Sequence, residues 1–147
     1  MPSILDGDYF EAEDGIKALL AAEFGDEIRN IASPASLAEL KEQSQGPLNL
    51  YVVYAGDVNV DASSDGDDAE KDQQWLVVLS VRNAAAQLDS SKSRAVAGPY
   101  VSRMLKCLLG QQPSLYTGPL ISGAGQVPGY SPAFAYFPFL FRTRIVI

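Results

Sequence analysis

The sequence contains no histidine and a single cysteine, Cys107. Without histidine there is no Ser-His-Asp or Cys-His triad, no imidazole acid–base pair and no histidine-ligated zinc. One cysteine forms no intrachain disulfide. Cys107 sits in an apolar helical pattern with Met104, Leu105, Leu108 and Leu109, where a thiol reads as a small buried hydrophobe. Use as a nucleophile would need a base beside it. No run of about 18 or more apolar residues is present, so no segment reads as a membrane-spanning helix. The opening stretch, MPSILDGDYFEAEDG, has neither the basic start nor the apolar middle of a secretory signal, which sets an expectation of cytoplasmic synthesis. Carboxylate or lysine chemistry is what remains open to an enzyme.

What the chain does have is enough apolar material for a packed core: 47% apolar against 20% charged residues over a length of 147. That suits one α+β domain spanning residues 1–147. The net charge is −7, and its placement matters more than its size. Seven acids and one base, Lys71, fall between Asp57 and Asp72, so this segment alone carries −6. The remainder is close to neutral. Residues 57–73 are therefore expected to form an acidic, flexible loop, which like-charge repulsion keeps off nucleic acid phosphates.

Hydrophobic periodicity supplies the elements. Phe10, Ile16, Leu19, Leu20 and Phe24 recur at helical spacing, with acids in the first turns and Asp6 or Asp8 as cap, predicting a helix from Asp8 to Phe24. Glu27 to Ala32 reads as a short strand. Ser33-Pro34 opens a second helix over Ala35 to Gln45. Leu48 to Tyr54 and Gln74 to Asn83 are β-branched and aromatic strands that can pair as an antiparallel hairpin, the second with a middle apolar enough for burial on both faces. Ala84 to Arg94 is a polar connection. A third helix covers Ala95 to Leu109, with Gly98-Pro99 as a candidate start and Gly110 as its stop. A strand falls around Tyr116 to Ser122, a turn at Gly129 to Pro132, and a long last strand at Phe134 to Ile147, with Pro138 at a bulge or an edge. The predicted order is α-β-α-β-β-α-β-β, a mainly antiparallel sheet flanked by helices.

Four constellations are candidates for chemistry or recognition. In DVNVDASSDGDD, Asp57, Asn59, Asp61, Ser63 and Asp65 stand at positions one, three, five, seven and nine of a calcium loop. Ala62 occupies the turn-glycine position, Asp68 replaces the bidentate glutamate, and the flanks read as strands. A solvated loop is the plainer reading, with loose divalent-cation association as the residual possibility. Gly123-Ala124-Gly125 hints at a phosphate cradle but lacks its third glycine and the following helix, so a flexible loop fits better. Arg142 and Arg144 share one face of the last strand with Leu140 and Val146, which suits surface arginines or a subunit contact more than a phosphate footprint. Phe134, Tyr136, Phe137, Phe139 and Phe141 supply core area, and aromatics also dominate interface centres. The candidate interface residues are thus Asp65, Asp67, Asp68, Glu70, Asp72, Phe137, Phe139, Phe141, Arg142 and Arg144. The acids Asp6, Asp8, Glu11, Glu13 and Asp14 are explained by the helix dipole. No catalytic, cofactor or firm metal residue emerges.

Several stretches taken together carry a resemblance: LYVVYAG (Leu50 to Gly56), QQWLVVLSVRN (Gln73 to Asn83), AGPYVSRMLKCLLG (Ala97 to Gly110) and AYFPFLFRTRIVI (Ala135 to Ile147). Their succession resembles the Mu gp37-like family of phage tail terminators, over most of the chain after about Leu48. The matching positions are Tyr54, Ala55 and Gly56, Leu76 to Val81, Leu108 to Gly110, and Tyr136 to Ile147. The acidic insertion departs from the family pattern. The resemblance implies a non-enzymatic virion protein without cofactor, forming a hexameric ring with copies of itself at the head-proximal end of the tail tube. There it would stop tube growth and dock neck or head-completion proteins, with sheath protein as a further partner, DNA as passing cargo and no membrane. A ring needs two different faces that meet, and the aromatic strand and acidic loop are two such faces. Truncating Val58 to Asp72 is then expected to spare folding and harm assembly. The alternatives are another head–tail connector or neck protein, a non-catalytic cytoplasmic binding module, and a small carboxylate enzyme.

Overall fold

The structure, a computed structural model, describes residues 1–34, 46–62, 69–82 and 90–147. The expected helix over Ala35 to Gln45 lies outside the described residues, as does most of the polar connection after Ala84.

A 3-10 turn at Ile4–Asp6 leads into α1, Glu11–Phe24. The N-cap position is Phe10, without a side-chain cap, in place of the expected Asp6 or Asp8; Asp8 sits just ahead of it, its side chain accepting the Phe10 N–H at 3.0 Å and its carbonyl the Glu11 N–H, which satisfies donors that a helix start leaves open. The buried stripe is Ala12, Ile16, Leu20 and Phe24. β1 (Asn30–Ala32) follows, then two long strands, β2 (Leu48–Ala62) and β3 (Ala69–Arg82). α2 spans Ser90–Leu108, β4 Ile121–Ser122, β5 Gly129–Tyr130 and β6 Phe134–Val146. Among the described residues the fold is two helices and a six-stranded, mostly antiparallel sheet of order β1-β2-β3-β6-β4, with β5 also on β6. Only β1 runs parallel to its neighbour.

Register sets the two faces. Trp75 pairs with Phe141, Val77 with Phe139 and Leu79 with Phe137, so the odd residues of β3 and β6 point together. They meet α1 and α2 in the main core around Trp75, Phe24 and Met104. The even residues Leu76 and Val78 join Tyr51 and Val53 in a second apolar cluster on the opposite face. Trp75 to Val81 is accordingly buried throughout, as the apolar middle of that strand implied.

Three boundaries differ from expectation. α2 starts near Ser90 and carries Pro99 inside it. Its N-terminal half is held by few contacts, with only Ser93 and Ala97 buried between Ser91 and Pro99, and on so exposed a helix the proline's missing donor is tolerated. The strand expected from Tyr116 shrinks to Ile121–Ser122, because the hydrogen bonds of Leu120 go to Gln111 and Gly110 instead. The third difference is the acidic segment. β2 continues through Ala62 and β3 begins at Ala69, paired from Asp57↔Gln73 to Ala62↔Ala69 with one irregularity between Asn59 and Asp61. What was read as a loop over 57–73 is therefore largely ladder. A third strand supports it, since β6 pairs with β3 out to Glu70↔Val146. Charge alone does not melt a strand whose backbone groups are paired on both sides.

Pro138 sits at an edge, one of its two expected places. The Leu140 and Phe134 carbonyls bond outward, to Gly123 and Ser131, so the even residues of β6 direct their backbone groups away from β3. Pro138 falls between the stretches covered by β4 and β5, where an N–H would have no partner.

Candidate functional site

The outer half of the hairpin gathers most of the residues singled out from the sequence. Across β3 and β6, Asp72 stands opposite Arg144 and Glu70 opposite Val146. The Arg144 guanidinium donates to Asp72 at 2.6 Å and to Glu70 at 3.0 Å, and Arg142 lies 3.6 Å from the other Asp72 oxygen. Asp72 is only 3% exposed. The two carboxylates hold the Arg144 guanidinium, already a strong base, further toward its charged form. These four interface candidates thus answer one another within the chain. A spacing of two along one strand, on a face shared with Leu140 and Val146, made Arg142 and Arg144 legible as a pair. Their acids lie far away in sequence, 72 and 74 residues from Arg144, and become partners only through register.

Phe137 and Phe141 are buried, at 6% and 1% exposure, and Phe139 packs against the same core. Their rings lie on the helix-facing side of the sheet, where burial within the chain already takes up Phe137 and Phe141 and leaves Phe139 partly exposed. Asp65, Asp67 and Asp68 lie outside the described residues.

Asp57 has a different setting. Gly56 takes a positive φ of 93° at a register shift between Tyr54 and Asp57, a conformation that glycine adopts without strain. The irregularity lets the Asp57 carboxylate accept from Tyr54 Oη at 2.5 Å and from Tyr9 Oη on its other oxygen. Phe10 packs edge-on against Tyr54, and Tyr54 tilts against Trp75. Behind them the buried Gln73 amide donates to the Tyr9 carbonyl at 2.7 Å and accepts from the Trp75 indole. The N-terminal segment is thereby tied to the root of the hairpin arm. Sequence reading missed Tyr9, Tyr54 and Gln73; a bulge glycine between two hydrogen-bonding side chains was the available signal.

The calcium-loop spacing is not realised in the described part. Asp57 and Asn59 lie in extended strand, which carries side chains away along a line instead of wrapping them around an ion. Among the described residues no three acids or cysteines converge as a metal site. The Gly123 N–H bonds to the Leu140 carbonyl, so this part of the glycine pair lines β6. Cys107 is half-buried, its thiol pushed up to about 11 mainly by burial. The acids of α1 sit at its start as expected, and Glu11 also bonds to Ser114 at 2.5 Å.

Two consequences are testable. Burial, reinforced by hydrogen bonding to Asp57, pushes the Tyr9 hydroxyl up to about 12 and raises Tyr54 further. Both groups hold their protons more tightly folded than unfolded, so the stability they add is complete below pH ~10 and disappears as pH climbs through 10–12. In Tyr9→Phe the loss of stability relative to wild type, read from denaturant unfolding by circular dichroism, should be largest below pH ~10 and narrow as pH climbs through 10–12; a difference that does not change with pH would separate Tyr9 from alkaline stability. The second concerns truncation. Removing Val58 to Asp72 deletes the three β3 residues opposite Arg144, Ile145 and Val146, Asp72 among them, so a lower denaturant midpoint is the expected result, where the sequence alone predicted that folding is spared. The deletion that leaves the buried ion pairs in place is one confined to residues 63–68.

A family model described as phage tail terminator protein matches residues 6–147. No curated protein matches the chain. Among solved structures, a chain of the virion of native gene transfer agent (GTA) particle is similar, with a TM-score of 0.55 and 16% identity over 100% of both chains. At that identity the likeness speaks for the fold alone.

Proposed function

This chain belongs to the phage tail terminator family, a family of structural tail proteins of the virion, and from that premise we propose that it closes the head-proximal end of a tail tube as a ring of identical subunits. The observation that carries the proposal is the extent of the family match, which takes in both helices and every strand. The hairpin arm supports it, because a projecting three-stranded arm with exposed Val58 and Val60 is suited to a neighbouring chain.

On this reading the ring is hexameric and the subunit assembles in the host cytoplasm. Its partners are other copies of itself, the tube protein, a neck or head-completion protein and, on a contractile tail, the sheath. The work is binding and not catalysis. DNA passes through the ring, and those acids of the chain that border the lumen outside the contacts between copies would keep phosphates from adhering. Loose divalent cations would moderate repulsion where such segments crowd together. The finer placement, in the Mu gp37-like branch, rests on the four segments from Leu50 to Ile147 named above.

Purified protein added to polymerising tube protein is the direct test. The expected result is shorter tubes, each with a ring at one end in negative stain. Tubes of unaltered length with bare ends would remove the terminator role and move the chain to another neck position.

A further inference from the structure

The two ends of the molecule differ in chemistry. At one end the start of α1, the hairpin arm and the 113–116 segment meet: Tyr9 reaches Asp57, Glu11 reaches Ser114, and Gly15 abuts Pro113. This end exposes Leu5, Phe10, Tyr54, Val58, Val60 and Leu115, the last at 75%. That gathering of large apolar side chains has the character of an interaction surface. Acids rim it. Asp6, Asp8 and Asp14 are exposed.

α2 carries the complement. Its sequence has four bases and no acid. Lys92, Val96, Pro99, Arg103 and Lys106 recur at alternating spacings of four and three, which places them on one stripe. The line buried against the core is a different one, Ser93, Ala97, Met104 and Leu108. Arg103 is engaged by Glu23 and Glu27 of α1. Lys92, Val96 and Lys106 stand exposed, Val96 at 52%.

One chain does not bring these surfaces together. Arg103 meets the C-terminal end of α1, whereas Pro113 and Ser114 meet its N-terminal half, so α2 runs antiparallel to α1. The Lys92–Val96 end of α2 continues past the C-terminal end of α1, while the arm continues past the N-terminal end. By helical rise Lys92 lies roughly 17 Å along α2 from Arg103, away from the acidic end. Like charge disfavours pairing two acidic ends.

We propose that the acidic, apolar end of one copy docks on the α2 stripe of a second copy. The contact is heterologous, with apolar side chains at its centre and opposite charges around it, and it repeats head to tail. It rests on the self-assembling ring proposed above and names the two faces that meet.

The test exchanges charge. One variant carries Asp6→Lys and Asp14→Lys, the other Lys92→Glu and Lys106→Glu. Light scattering measures association of the full chain, and thermal melts confirm folding. Wild type is expected to associate less as salt rises. Each variant alone is expected to associate about tenfold or more weakly. An equimolar mixture restores association, because each variant's reversed face then meets its complement. Association of either variant at wild-type strength, or a mixture no better than its components, overturns the interface. If a variant fails to fold, the Asn and Gln replacements at the same positions give the reading, with loss of salt dependence expected and its persistence overturning the proposal. A wild-type chain that stays monomeric at every concentration but still caps tubes overturns this interface and leaves the terminator role intact. Rings that form by this contact without capping tubes do the reverse.

Discussion

Replacing Gly15 with valine should destabilise the protein by about 3 kcal/mol, a loss readable as a lower denaturant midpoint. The reason is local. A β-carbon at Gly15 would stand 1.8 Å from the Pro113 carbonyl oxygen and under 3 Å from two further backbone atoms. Backbone cannot rotate aside as a side chain can, so the 112–115 segment must lift from α1. That segment carries Ser114, which bonds Glu11, and precedes Thr117 and Leu120, both buried. Alanine makes the sharper comparison. In an exposed helix it would be favoured over glycine by about 1 kcal/mol; at Gly15 the same change should still destabilise. A Gly15→Ala protein as stable as wild type would show that the close approach relaxes cheaply.

Asp72→Ala is expected to cost about 2–3 kcal/mol. It removes a carboxylate shielded from solvent and leaves two guanidinium groups without their common partner. The arginine heads keep 39% of their side-chain exposure, which lets water compensate in part and holds the figure below that of a fully buried pair. A double-mutant cycle with Arg144→Ala measures the interaction itself. The expected coupling is at least about 1 kcal/mol, and simple additivity would mean that the pair is held by the sheet without helping to hold it.

Much of this was legible before the structure. The strands of the sheet centre announced themselves through β-branched and aromatic runs, and their pairing as a hairpin followed from adjacency. The stop of α2 at Gly110 was equally plain; its φ of 81° explains why glycine stands there. What escaped were effects that composition actively conceals. Seven acids in sixteen residues look like solvated loop. Their backbone is nevertheless held in strand from Asp57 to Ala62, because pairing satisfies N–H and C=O whatever the side chains carry. Phe137 and Phe141 looked equally fit for a core or an interface, and only the sheet's parity assigned them inward. The tyrosine clasp on Asp57 joins positions 48 residues apart through a bulge whose location periodicity does not announce.

The proline in β6 has a consequence for how copies behave before they are used. Any subunit that waits for its platform accumulates, and accumulated sheets tend to stack margin to margin into fibres. Between β4 and β5 the margin of β6 lacks a donor where a stray strand would seek one, because Pro138 has none. The opposite margin, β2 beyond Tyr51, has no strand paired to it among the described residues. Strand addition at the β6 margin is therefore disfavoured, because a joining strand finds no donor at position 138.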